Sequence, residues 1–66
     1  MITFQPLWQT MKQQHVTIYA LIEKHKISRG QIARLKNNQN VTTNTINTLC
    51  KILNCHVEQI IEYRPD

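Results

Sequence analysis

Sixty-six residues, with eight Lys and Arg against four Asp and Glu for a net charge of +4, leave room for one small domain (1–66) and exclude a two-lobed enzyme or a large enclosed substrate pocket. Hydrophobic residues make up 41% of the chain, enough for a core, and a single Gly with two Pro argues for helices over a sandwich of tightly turned strands. The cationic excess points to an anionic partner, and no apolar run approaches the roughly 18 residues of a membrane span, so no membrane partner is expected.

The opening Met1-Ile2-Thr3-Phe4 is β-prone, and Met1 to Thr10 lacks the basic and apolar regions of a signal peptide. Pro6 suits a first helical turn, and Phe4, Leu7, Trp8 and Met11 form one apolar stripe, which predicts a helix over about 6–14. Thr17 is a plausible N-cap for a second helix, about 18–25, burying Ile18, Leu21 and Ile22. After a break at Lys26-Ile27, Ser28 and Gln31 have the spacing of a capping box and start a third helix, about 29–37, whose large apolar residues are only Ile32 and Leu35. Asn37-Asn38-Gln39-Asn40 is a polar connection. Thr42 or Thr43 caps a fourth helix, about 43–53, with Ile46, Leu49, Cys50 and Leu53 as its stripe and Asn54 as its stop. A fifth helix is expected over about 57–62, burying Val57, Ile60 and Ile61. Ile2 and Phe4 can alternatively pair with Ile61 and Tyr63 as a two-stranded ribbon, within the chain or between two copies. The expected fold class is therefore all-α, five helices, with the termini as candidates for a ribbon.

Charge is distributed unevenly. From Lys24 through Val57 the chain carries Lys24, Lys26, Arg29, Arg34, Lys36 and Lys51 and no acid; the acids are Glu23, Glu58, Glu62 and Asp66. A short helix, a break and a second helix with a polar, basic outer face, over about 17–37, is the layout of a helix-turn-helix, in which the second helix enters the major groove of DNA. Leu21, Ile27, Ile32 and Leu35 are the residues expected to clamp the two helices together.

The segment ALIEKHKISRGQIARLKNNQNVTTNTINTLCKILNCHVEQII resembles the phage-repressor (Cro-like, XRE) helix-turn-helix family. The run Ile32-Ala33-Arg34-Leu35-Lys36-Asn37, the capped helix from Thr42 to Leu49 and the step Leu53-Asn54-Cys55 carry the likeness, which covers about residues 7–63. The resemblance implies a compact lambda-repressor-like fold and a DNA-binding transcription regulator with no enzymatic activity and no cofactor. Where the family often has a small Ala and a turn Gly, this chain has Ile22 and Lys26, so Lys26 either takes a positive φ or the turn is built differently.

In this reading Arg29 and Arg34 lie on the face left open by Ile32 and Leu35 and read guanine, Gln31 reads adenine or serves Ser28 as its capping partner, and Gly30 lets the helix start approach the bases. Thr17, Lys26, Ser28, Lys36, Asn38, Asn40 and Thr43 are candidate phosphate contacts. One motif reads few base pairs, so a homodimer on a two-fold operator is expected, with Ile52, Ile60, Tyr63 and the terminal segment as candidate contacts. Repression by occupying a promoter is the simplest action. Cys50 and Cys55 are expected as buried free thiols of a cytoplasmic protein. A metal site from Cys50, Cys55, His56 and His25 or His15 lacks ligand spacing, and a Cys/His nucleophile lacks an orienting acid. Trp8 and Tyr19 fit the core or its edge better than a base-stacking role, and RNA is disfavoured because the exposed helix has no aromatic residue. The alternative function is a protein-interaction module of the same fold binding an acidic partner.

Overall fold

The computed structural model describes all 66 residues, as β1 (Ile2–Thr3), α1 (Gln5–Gln14), α2 (Ile18–Glu23), α3 (Arg29–Lys36), α4 (Thr43–Leu53), a 3-10 turn (Val57–Gln59) and β2 (Glu62–Tyr63). The starts of α2, α3 and α4 follow hydroxyl residues. Thr17 Oγ1 accepts from the Ala20 N–H at 3.0 Å, Ser28 Oγ from Gln31 N–H at 3.2 Å, and Thr42 Oγ1 from Thr45 N–H at 3.2 Å. Each bond satisfies one of the backbone donors that a helix start leaves without an intrahelical partner.

Helix ends rely on left-handed residues, none of them glycine. His15, Asn38 and Asn54 take φ of 58°, 54° and 49° after α1, α3 and α4. In each case the next residue folds back: Val16 N–H donates to Met11 O, Gln39 N–H to Arg34 O and Cys55 N–H to Cys50 O, at 2.9, 2.8 and 3.1 Å. These are Schellman closures, which satisfy the last carbonyls of a helix. Lys26, in the turn between α2 and α3, has φ 62°, so the turn takes the positive-φ form; α2 stops at Glu23 and Ile27 N–H returns to Leu21 O at 3.0 Å. The one glycine, Gly30, does not have a positive φ.

Phe4, Leu7, Met11, Leu21, Ile27, Ile32, Leu35, Leu49, Leu53 and Ile60 form one buried cluster fed by all four helices. Trp8, Ile18, Ile22, Ile46 and Cys50 pack around it, half-buried. Polar ties cross this core: Thr10 Oγ1 donates to Gln59 O at 2.8 Å, Gln14 Nε2 to Leu53 O at 2.7 Å, and Phe4 N–H to Asn38 Oδ1 at 2.9 Å. No buried side-chain nitrogen or oxygen lacks a partner.

Several expectations change. The fold has four α-helices, because the expected fifth is a single 3-10 turn whose exit is drawn into extended pairing with β1. Val57 there is 49% exposed, whereas Ile60 is fully buried and so cannot be a dimer contact. The ribbon forms within the chain, antiparallel, with Ile2 opposite Tyr63 and Thr3 opposite Glu62; Phe4 instead caps α1 and enters the core. Tyr19 is 73% exposed, not a core-edge residue, since its place on α2 lies away from Leu21. No helix is long and apolar enough to cross a membrane.

Candidate nucleic-acid interface

α2 and α3 are held as a pair by the clamp read from the sequence: Leu21, Ile27, Ile32 and Leu35 are all buried. With Ile32 and Leu35 turned inward, at about 100° per residue the opposite line of α3 runs through Gly30 and Asn37, with Ala33 and Arg34 about 50° to either side of it. All four are exposed. The outermost line of this helix is thus a bare backbone and an amide, flanked by a methyl group toward α2 and a guanidinium toward α4.

The cations stand on either side of that line. Arg29 and Lys36 lie on the flank toward α2, where with Ile18, Ile22, Ile32 and Ala33 they line a shallow groove of about 260 Å³. Arg34 lies on the other flank, facing the start of α4 across a groove of about 310 Å³ lined also by Gln31, Asn40, Val41, Thr42 and Thr45. Arg29 and Arg34 are both exposed but about 140° apart around the helix, so they bracket the outer line and do not share one face.

Gln31 makes only half of a capping box. Its N–H is held by Ser28, but its side chain turns to α4, where Oε1 accepts from the buried Thr45 hydroxyl at 2.7 Å. Thr45 Oγ1 also lies 3.3 Å from Thr42 Oγ1, so the α4 cap, Thr45 and Gln31 form one hydrogen-bonded chain. The Gln31 Nε2 donors remain available at the groove.

The candidate phosphate contacts surround α3 but differ in what they have free. Thr17 and Ser28 each use a lone pair for capping and keep a hydroxyl hydrogen to donate. The cap of α4 is Thr42, which leaves the exposed Thr43 hydroxyl uncommitted. Lys26, Lys36 and Asn40 are exposed. Asn38 has its Oδ1 engaged by Phe4 N–H, so only its Nδ2 is open. None of α1 to α4 has an acid in its first turn, so no carboxylate competes at those helix starts.

Ala33, Asn37 and Thr45 escaped the sequence reading. A helical wheel centred opposite Ile32 and Leu35 points to the first two; no local signal announces Thr45, whose partner lies 14 residues away. Outside this surface, Cys50 and Cys55 are free and half-buried, and no three His, Cys, Asp or Glu residues gather as a metal site. Burial, then the neighbouring Cys50 thiol, raises the Cys55 pKa.

A family model described as the Cro/C1-type HTH DNA-binding domain matches residues 6–66. The chain belongs to that family. The DNA-binding class of this Cro/C1-type domain agrees with the basic, acid-free middle of the chain, which holds α3. Among solved structures, the crystal structure of the transcriptional regulator VanUg is similar, with a TM-score of 0.89 and 28% identity over 98% of this chain and 87% of that one. A comparison with curated proteins returns no match.

Proposed function

We propose that this Cro/C1-type domain is a sequence-specific regulator of transcription that lays α3 in the major groove and represses by occupying a promoter. The observation that carries this reading is the shape and charge of α3: an outer line of bare backbone and amide bracketed by Arg29 on one flank and Arg34 on the other. Arg34 and Arg29 read guanine O6 and N7, each good pair worth about 1–3 kcal/mol of discrimination. Gly30 admits the backbone to the base edges, and Gln31, held by Thr45, presents its Nε2 donors to acceptors in the groove. Thr17, Lys26, Ser28, Lys36, Asn38, Asn40 and Thr43 anchor the flanking phosphates.

Similarity to a transcriptional regulator supports the regulatory role. Occlusion is an action that a domain with one coherent basic surface performs by binding alone. A single eight-residue helix contacts few base pairs, which supports a homodimer on half-sites about 34 Å apart. Selection of binding sites from a random DNA pool, followed by a salt titration, tests the reading. A two-fold consensus is expected, with affinity falling by roughly 0.9 log unit per log unit of salt for each phosphate neutralised. Recovery of no consensus, with DNA of every sequence bound alike, would overturn it in favour of a basic docking surface for an acidic protein.

A further inference from the structure

Gln31 reaches the groove between α3 and α4 with half of its amide already committed. Thr45 is buried on α4, 6% exposed, and its hydroxyl donates to Gln31 Oε1 at 2.7 Å. The α4 cap gives this chain of bonds its direction. Thr42 Oγ1 accepts the Thr45 N–H at 3.2 Å and keeps its own hydrogen for Thr45 Oγ1, 3.3 Å away. Thr45 accepts from Thr42 and has its single hydrogen left for Gln31. Hydroxyls that pass their hydrogens along in one direction polarise one another, so each bond strengthens the next.

An unengaged glutamine sets a carbonyl and an amino group side by side and reads adenine with both, its oxygen accepting from N6 and its nitrogen donating to N7. In Gln31 the oxygen is turned to a buried hydroxyl in the groove wall, and the two hydrogens of Nε2 are what the side chain has left at the opening. Arg34, one turn further along α3 and lining the same groove, has only donors to offer. The α3 side chains of this groove therefore present N–H groups with no free acceptor turned outward among them. Guanine matches that wall best of the four bases. Its major-groove edge carries two acceptors, N7 and O6, and no donor, whereas the amino groups of adenine and cytosine would meet a donor and thymine offers O4 alone beside its methyl.

We propose that Thr45 is a positioning residue for DNA recognition: by holding the Gln31 oxygen it makes Gln31 a donor-only reader, so that the operator base facing Gln31 is guanine in place of the adenine that a free glutamine selects. The inference rests on α3 being the DNA-reading helix, as proposed above, and adds the base chosen at one position and the residue that sets the choice.

Site selection with the wild type and with Gln31→Ala locates the base pair that Gln31 reads, as the position whose preference is lost. Duplexes carrying each of the four bases at that position are then titrated by fluorescence anisotropy. The wild type should favour guanine over adenine about tenfold, the smaller end of what one base contact supplies. Thr45→Val removes the hydroxyl and nearly keeps the volume, which returns both halves of the amide to Gln31, so the ratio should fall to about one or turn toward adenine. Thr45→Ser keeps the hydroxyl and should keep the wild-type ratio. A Thr45 that only supported the fold would change affinity for all four duplexes alike and leave the ratio untouched. Thr45→Ala is a second hydroxyl-free variant, and circular dichroism checks that each protein is folded. Gln31→Glu offers acceptors alone and should move the preference to cytosine, whose N4 donates. A wild type that prefers any base but guanine there, a Gln31→Ala protein that relaxes no position, or a folded Thr45→Val or Thr45→Ala protein with the ratio unchanged overturns the proposal. Each of these failures comes with a wild-type consensus, whereas failure of the DNA-reading function itself yields none.

Discussion

Four residues other than glycine hold positive φ, and they are not equivalent. Asn38 and Asn54 tolerate the left-handed region, whereas at Lys26 (φ 62°) and His15 (φ 58°) a Cβ crowds the following carbonyl at about 1–2 kcal/mol each. Lys26→Gly should therefore raise stability by about 1 kcal/mol, less the entropy that a glycine adds to the unfolded chain, and a urea titration measures it. At Gly30 the opposite substitution is informative. An added Cβ meets only Ser28 Oγ, at 3.9 Å, so Gly30→Ala should fold as well or better, by up to about 1 kcal/mol. If the bare backbone serves DNA approach, the same protein binds its operator more weakly, a separation that melting and binding assays read independently. Cys55 has a raised pKa, from burial first and the Cys50 thiol second. Its contribution to stability is complete below the ordinary thiol value of 9.0 and is lost as pH rises through the raised value of the folded state. The urea midpoint should fall above that pH, and Cys55→Val should flatten the decline.

At the scale of elements, α3 is held by a cap at its start and a side-chain bond to α4. Ser28 captures its first turn, and Gln31 joins it to Thr45 and thereby to the α4 cap. This fixes the roll of α3 and so decides which residues look outward. The two flanks then carry different predictions. Arg34→Ala should cost about 1–3 kcal/mol on the selected operator and relax preference at one base pair, while random DNA is bound nearly as before. Lys36→Ala should weaken binding to all sequences alike and reduce the salt slope by about one. Fluorescence anisotropy on operator and random duplexes at several salt concentrations separates the two.

For the molecule as a whole, ten buried apolar residues serve four helices and a ribbon, and there is no second core to compensate for a loss. Leu49 is fully buried at the centre of α4, and Leu49→Ala should cost about 2–5 kcal/mol. A domain of this length has a total stability of only about 3–10 kcal/mol, so thermal unfolding should show a partly or wholly unfolded variant at room temperature. The outer surface is divided. The basic middle presents α3 and its flanking caps, and the ribbon of the two ends presents the exposed apolar pair Ile2 and Tyr63.

Much of this was legible in the amino-acid sequence because its causes are local. Thr17, Ser28 and Thr42 lie within three residues of the N–H groups they cap, and the apolar stripes repeat within a turn, so the starts of α2 to α4 and the Leu21, Ile27, Ile32, Leu35 clamp could be read directly. The acid-free stretch, and with it a basic surface around α3, was equally plain. Tertiary structure alone decided the rest, because those partners lie far apart in the chain. The pairing of Thr3 with Glu62 turned an expected fifth helix into a 3-10 turn and a strand, and the same exit buried Ile60. The bond from Thr45 took Gln31 away from its capping box, and the resulting roll of α3 set Arg29 and Arg34 on opposite flanks. Local spacing determines where a helix begins; only contact with distant elements determines which of its sides is left to meet a partner.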